Sequence, residues 1–378
     1  VSTPHALLLS GSLGMGHDVM AEACAVSLEQ RGWTSATMNS LALMGPSAGG
    51  WGERAFRGLL SIPGVYDAFH FEQLRTGGRL ARGAERASSR YAAPALQGEL
   101  TARPAELIIS VFATGASAAG RVKASGAAEF CSVVFCTDVN PHRLWVHDAT
   151  DLYLVTSETA RRFVWRFHPD AEVAVVPTPV RPAFYAAPTQ VAARAELGLP
   201  ADAPCVLLMA GAWGAGPLVD AAAALAASDI HTLAVAGRNP KLEAGLRAAA
   251  DRHPTLVPFG FTDRIPTLMA AADLVVTTSG DTCSEARVIG RPIVLLDLVP
   301  GHGRENLQHE LERGDADVAP AEPEALVRSV RAALERTTRP VRAVVQTVTA
   351  WEDAFDAALT RLGFGSAAHR AERNDRPA

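Results

Sequence analysis

The sequence is poor in cysteine, in lysine and in long apolar runs, and each shortage removes a class of explanation. Its five cysteines (Cys24, Cys131, Cys136, Cys205 and Cys283) are an odd number, and none forms a Cys-x-x-Cys pair or a metal-ligand spacing with histidine. The thiols therefore read as small buried hydrophobes rather than as metal ligands. No stretch of about 18 uninterrupted apolar residues occurs, so no segment is expected to span a bilayer. The start, Val1-Ser2-Thr3-Pro4-His5, has no charged region ahead of the first strand, which gives no sign of a secretory signal and leaves a cytoplasmic location as the expectation. Net positive charge is lacking too: 35 basic against 40 acidic residues give −5. That balance argues against a nucleic-acid partner spread over the whole surface, while a local basic patch stays open. Lysine is nearly absent and arginine and alanine are common, which reflects composition bias more than mechanism.

What is present is a repeated alternation of short apolar runs with alanine-rich helical stretches. At 378 residues the chain exceeds one ordinary core, and length favours two domains. The first set of strands is expected at His5 to Leu9, Thr34 to Asn39, Leu107 to Val111, Ser132 to Cys136, Leu152 to Val155 and Val173 to Val176. These runs are apolar on both faces, as in a helix-covered parallel sheet. After the proline-rich Val176 to Pro182 the pattern restarts with Cys205 to Met209, His231 to Ala236, Thr255 to Pro258, Leu274 to Thr277 and Ile293 to Asp297. The fold class is thus α/β, with two doubly wound units: residues 1–185, residues 186–345, and a closing helix with a polar tail over 346–378. Between Met44 and Arg90 the alternation breaks into aromatic residues among arginines. Two readings stand there: surface helices with solvated arginines, or an element that meets anionic headgroups.

The first strand runs into Gly11, Gly14 and Gly16 and then His17. Glycines at a strand-to-helix turn expose backbone N–H groups and admit a ligand close to the main chain. The order GxxGxG fits a dinucleotide fingerprint only loosely. A single histidine is usually structural; in this glycine context it reads as functional, on the first helical turn facing the gap between domains. The second domain opens alike, with Gly211, Gly214 and Gly216 after a strand. Later, "DLVVTTSGDTCSEA" (Asp273 to Ala286) is a buried strand followed by polar residues able to cap a helix that carries Glu285. An anion over that helix start would be stabilised by the helix dipole. Glu285 is placed either to accept two ribose hydroxyl protons or to serve as a capping-box partner.

Taken in order, "SGSLGMGH" (Ser10 to His17), "TDVNPHRLWVH" (Thr137 to His147), "PTPVRPAF" (Pro177 to Phe184), "LLMAGAWGAG" (Leu207 to Gly216), "AGRNPKL" (Ala236 to Leu242), "FGFTDRIPTLMAAADLVVTTSGDTCSEA" (Phe259 to Ala286) and "VPGHGRENLQHE" (Val299 to Glu310) resemble a GT-B glycosyltransferase with two facing Rossmann-like domains. Within that class the chain resembles the monogalactosyldiacylglycerol synthase and diacylglycerol glucosyltransferase family, relatives of the peptidoglycan N-acetylglucosaminyltransferase. The resemblance covers roughly residues 5 to 320.

It implies a nucleotide-diphosphate sugar, UDP- or dTDP-linked, in the C-terminal domain. The base would lie near Phe261 and Arg238, the ribose on Glu285, and the phosphates near Gly214, Gly216, Ser279, Gly280, Asp281 and Thr282. The acceptor would meet Gly14, Gly16, His142 and Trp145 in the N-terminal domain, with His17 and Asp138 at the reaction centre. Such enzymes invert the anomeric centre in one displacement, with no bound metal and no cofactor beyond the sugar nucleotide. The acceptor hydroxyl must lose a proton as it attacks, which suits His17 as general base, with Asp138 orienting it or taking its place. Charge on the departing diphosphate would be met by N–H groups, a helix dipole and Arg238.

Two departures affect the donor pocket. Thr278 or Ser279 stands where the family usually has lysine, and Pro300-Gly301-His302-Gly303 replaces the usual Pro-Gly-Gln-Glu. His302, Arg304, Glu305 and Asn306 are then the groups left to meet the sugar. A changed hydroxyl pattern tips the expectation toward a hydroxyl or amine of a soluble natural-product acceptor and a modified sugar, with a diacylglycerol lipid and peripheral contact at the inner face of a membrane as the alternative. Other classes compatible with the architecture are a nucleotide-sugar 2-epimerase or hydrolase and a catalytically inactive nucleotide-binding protein.

Overall fold

The computed structural model describes residues 3–11, 16–45, 70–209, 217–299, 301–320, 322–336 and 348–364, without the side chains of residues 84, 302 and 348. The chain divides into two compact units, Val1–Pro179 with Thr347–Ala378, and Val180–Gln346.

The first unit is built on parallel strands β1 (His5–Ser10), β2 (Thr34–Asn39), β3 (Leu107–Ser110), β4 (Cys131–Phe135), β5 (Leu152–Val155) and β6 (Val173–Val175), in the order β2-β1-β3-β4-β5-β6. Alternation sends Leu8, Ile109 and Val133 to one face and Leu7, Leu9 and Ile108 to the other, so each central strand is covered twice. β2 departs from the expectation of two apolar faces: it is the edge strand, and its Thr, Ser and Asn side chains are half-exposed or exposed. Helix α1 (Gly16–Glu29) covers one face; α2 (Arg79–Ala102) and α3 (Ala113–Ala124) cover the other, and α4 (Glu158–Phe167) follows β5. Helix α3 gives no periodic signal because its buried face, apart from Val122, is alanine, glycine and serine. A Cβ on Gly115 would come within 2.7 Å of Leu9 Cβ, and one on Gly120 within 2.9 Å of His147 Cβ, so small residues let this helix lie close to its neighbours.

The C-terminal helix (Val348–Arg361) returns to this first unit. Trp351 stacks on Phe135 and Phe355, at 5.6 and 5.1 Å between centroids, and its indole N–H donates to Ser27 Oγ at 2.9 Å. Arg31, just past the end of α1, donates to Glu352 Oε2 at 2.8 Å and Asp356 Oδ1 at 3.0 Å. Trp351→Ala should destabilise this unit by about 3–5 kcal/mol, read as a lower denaturant midpoint for the first unit's transition with the second unit's unchanged.

The second unit contains β7 (Cys205–Met209), β8 (His231–Val235), β9 (Leu256–Phe259), β10 (Leu274–Thr277), β11 (Ile293–Leu296) and β12 (Ala316–Ala319), all parallel, in the order β12-β11-β10-β7-β8-β9. Its helices are α5 (Gln190–Leu197), α6 (Leu218–Ala226), α7 (Pro240–Ala250), α8 (Ile265–Ala271), α9 (Asp281–Ile289), α10 (His302–Glu312) and α11 (Pro323–Arg336), preceded by a single turn at Pro182–Tyr185. Val180 and Phe184 pack in this unit's core, which puts the chain crossing just after Pro179. β12 was not expected, because Ala-Asp-Val-Ala is a short, partly polar edge strand. All five cysteines are free, four of them buried and Cys131 half-buried, and burial pushes the Cys131, Cys205 and Cys283 thiols up to about 12.

Candidate functional site

In a doubly wound sheet, ligands collect outside the carboxyl ends of the strands where strand order reverses. In the first unit that point lies between β1 and β3. Gly14 falls outside the described residues; Gly16 and His17 are the first two residues of α1. His17 Nδ1 is 2.8 Å from the Val111 carbonyl and 3.3 Å from Thr137 Oγ1, residues that follow β3 and β4. A carbonyl only accepts, so Nδ1 carries the proton and the basic lone pair sits on Nε2. The imidazole meets the edge of Phe112 at 4.9 Å and lies 6.5 Å from Trp145.

The start of α1 is braced from behind. Ser10 Oγ donates to Asp18 Oδ1 at 2.6 Å, and Ser40 Oγ donates to the Ser10 carbonyl at 2.7 Å. A Cβ on Gly11 would fall 2.4 Å from Phe112 Cγ. The missing side chain at Gly11 therefore makes room for Phe112, the ring that backs His17, rather than for a ligand.

His17 Nδ1 faces the Val111 carbonyl, and the Asp138 carboxylate faces Trp145. Asp138 Oδ2 accepts the indole N–H of the buried Trp145 at 2.8 Å and lies 3.7 Å from His142 Nε2. His142 Nδ1 accepts the Leu144 N–H at 3.3 Å, so its proton is on Nε2 and faces Asp138. The buried His70 packs edge-on to His142, 6.4 Å away. His17, Asp138, His142 and Trp145 are thus gathered beyond the carboxyl ends of β1 and β4.

In the second unit the reversal lies between β7 and β10. The glycine turn after β7, with Gly214 and Gly216, lies outside the described residues. After β10, Ser279 Oγ donates to the Gly303 carbonyl at 2.9 Å and ties the start of α9 to that of α10. Gly280 is the N-cap of α9 and offers no side-chain cap, which corrects the capping expectation for that segment. Asp281 and Thr282 occupy the first turn. Burial pushes the Asp281 carboxyl up to about 6, against the pull of Arg181. Glu285 lies beyond the capping-box position and is nearly removed from water, at 6% exposure. Burial raises its pKa, and Arg181, donating to Oε1 at 2.9 Å, opposes that rise.

Arg181 escapes detection from sequence because its partner is distant along the chain; with it, the pocket expected to be short of a cation gains one. Arg238 lies 4.4 Å over the ring of the exposed Phe261, both just past strand ends on the same sheet edge. Arg304 Nε is 3.8 Å from Asp297 Oδ1, Glu305 is buried, and Asn306 Oδ1 is buried with no acceptor role filled among the described residues. His302 begins α10, and its side chain lies outside the description. A Cβ on Gly303 would sit 2.4 Å from Val299, so the departure to glycine at this position is built into the local packing. Among the described residues no group of three His, Cys, Asp or Glu side chains is arranged to hold a metal ion.

Residues 81–180 match the family model described as monogalactosyldiacylglycerol (MGDG) synthase. Over 212 residues the chain is 31% identical to a probable monogalactosyldiacylglycerol synthase 2, chloroplastic, of Oryza sativa subsp. indica, covering 52% of this chain and 45% of that protein. Over 188 residues it is 31% identical to a processive diacylglycerol beta-glucosyltransferase of Bacillus pumilus, covering 48% and 49%. The chain resembles the MGDG synthase family. The match spans about half the length of these curated relatives. Among solved structures, Acinetobacter baumannii MurG superposes with a TM-score of 0.59 at 13% identity, covering 95% of this chain and 100% of that one. The fold is GT-B.

Proposed function

We propose that the protein is an inverting glycosyltransferase that moves a sugar from a nucleotide-diphosphate donor to a hydroxyl of a diacylglycerol-type lipid. The observation that carries the reading is His17, whose Nδ1 is pinned by the Val111 carbonyl at the strand-order reversal, leaving Nε2 as base. In the proposed step the acceptor hydroxyl gives its proton to Nε2 as its oxygen bonds to the anomeric carbon. The bond from that carbon to the diphosphate oxygen breaks, and the nucleotide leaves as the anion. Main-chain N–H groups at the start of α9 would face that charge, Glu285 the ribose, and Phe261 with Arg238 the base. No resident metal is invoked, so EDTA should leave turnover unchanged.

The lipid acceptor replaces the natural-product acceptor favoured from sequence, and two observations support it. The relatives matched by sequence are named for diacylglycerol chemistry. In addition, α2 presents Arg79, Arg82, Arg86 and Arg90 on one outward stripe beside exposed Leu80 and Tyr91, while Glu85 turns in to accept from Ser117 Oγ at 2.9 Å. Such a face suits an anionic bilayer surface, and among the described residues no helix is long and apolar enough to cross one. The full chain should sediment with phosphatidylglycerol vesicles at low salt and not with phosphatidylcholine vesicles. Replacing Arg82, Arg86 and Arg90 by serine should weaken this by about 3 kcal/mol, or roughly a hundredfold; unchanged sedimentation would remove the membrane from the reading.

A diphosphate near Asp281 also predicts a pH dependence. The carboxyl, raised to about 6, sits with Glu285 and Arg181. A second anion favours the protonated form, so binding takes up a proton and affinity rises as pH falls through 6. Calorimetry with a UDP-sugar, whose diphosphate diester does not titrate in this range, should show affinity rising severalfold from pH 7.5 to 5.5. Asp281→Asn should bind more tightly at pH 7.5 and flatten the slope.

A further inference from the structure

Arg181 stands immediately before Pro182, where the chain enters the second unit. Its guanidinium lies 4.9 Å over the ring of Phe184, a residue buried in that unit's core, and one of its terminal nitrogens donates to Glu285 Oε1 at 2.9 Å. Phe184 therefore fixes the guanidinium plane, and the guanidinium fixes one carboxylate oxygen. The opposite oxygen, Oε2, is the one left to meet a ligand hydroxyl.

The surroundings make that cation necessary. Glu285 is nearly excluded from water, and Asp281, one turn earlier on α9, is a like charge. Both push Glu285 toward the neutral acid, which would have to donate a proton of its own where a ribose hydroxyl also donates. A carboxylate accepts from the hydroxyl; a carboxylic acid competes with it.

We infer that Arg181 is a positioning residue that keeps Glu285 ionised and turned with Oε2 toward the ribose, and that it thereby sets a preference for ribonucleotide over 2′-deoxyribonucleotide donors. This rests on the reading that the second unit holds a sugar nucleotide through Glu285. The preference would favour UDP-type donors over the dTDP-linked ones left open by the sequence.

The test is calorimetric binding of UDP and of 2′-deoxy-UDP to the full chain and to Arg181→Met, Arg181→Lys and Glu285→Gln. The unaltered protein should prefer UDP by about ten- to a hundredfold, the weight of a hydrogen bond to a charged group. Arg181→Met should reduce that ratio to within about threefold by weakening UDP alone, Arg181→Lys should recover most of it, and Glu285→Gln should match Arg181→Met. If Arg181→Met weakens both nucleotides equally and keeps the ratio, Arg181 serves only general attraction or folding and the inference is overturned. An unaltered protein that binds both nucleotides equally overturns it too, while sparing the nucleotide reading. Binding of neither removes the nucleotide reading itself. Should Arg181→Met fail to fold, the lysine and glutamine variants carry the same comparison.

Discussion

Replacing His17 by alanine should lower turnover by about 10²–10⁴-fold while leaving UDP affinity within about twofold. The size follows from the loss of a general base at an attacking hydroxyl, a group far too weakly acidic to ionise unaided near neutral pH. The selectivity follows from the division of labour: His17 belongs to the first unit, and the nucleotide is assigned to the second. His17→Asn sharpens the comparison, because its amide N–H still reaches toward the Val111 carbonyl that holds Nδ1 at 2.8 Å, while no basic nitrogen remains. The two variants should be equally impaired if proton removal is the role. Recovery in His17→Asn would instead point to a packing role beside Phe112. Steady-state rates at saturating donor, paired with calorimetry of UDP, decide between them.

The second large effect is expected at Asp138, where two substitutions should part ways. Asp138→Ala takes the acceptor from the indole N–H of Trp145, a fully buried ring that stands 6.5 Å from His17. A buried donor left unsatisfied costs about 1–3 kcal/mol, and the wall beside the imidazole loosens. Turnover should fall by roughly ten- to a hundredfold, in line with that cost. Asp138→Asn keeps an oxygen for the indole and should stay within about fivefold of the unaltered protein. Were Asp138 the base in place of His17, asparagine would be as damaging as alanine. Rates for the pair, with the near-ultraviolet signature of Trp145 as a check on packing, separate a clamp from a base.

Much of the fold is legible in the sequence because central parallel strands announce themselves as apolar runs. Leu7 to Leu9, Ile108 to Ile109 and Val275 to Val276 need burial on two sides and can find it only between helix layers. What escapes is whatever lacks that contrast. Helix α3 hides because alanine and glycine carry no amphipathic signal, and β12 hides because an edge strand needs few apolar residues.

The candidate site is legible where side-chain chemistry is concentrated: His17, Asp138 and Trp145, named from sequence, lie together after the strand ends of the first unit, and Glu285 is buried on α9. The site is illegible where a backbone atom or a distant partner does the holding. The Val111 carbonyl has no sequence signature, and Arg181 meets Glu285 only because the fold brings the end of the proline-rich crossing to the buried face of α9. Gly11 is the instructive case: a glycine that reads as space for a ligand is occupied by Phe112.

The most direct test is to incubate the full chain with an α-linked UDP-sugar and diacylglycerol in phosphatidylglycerol vesicles and to follow both nucleotide and lipid by NMR. One UDP should be released per glycolipid formed, with the new linkage β. Release of free sugar, or appearance of a 2-epimeric sugar nucleotide with no glycolipid, would contradict the proposed transfer.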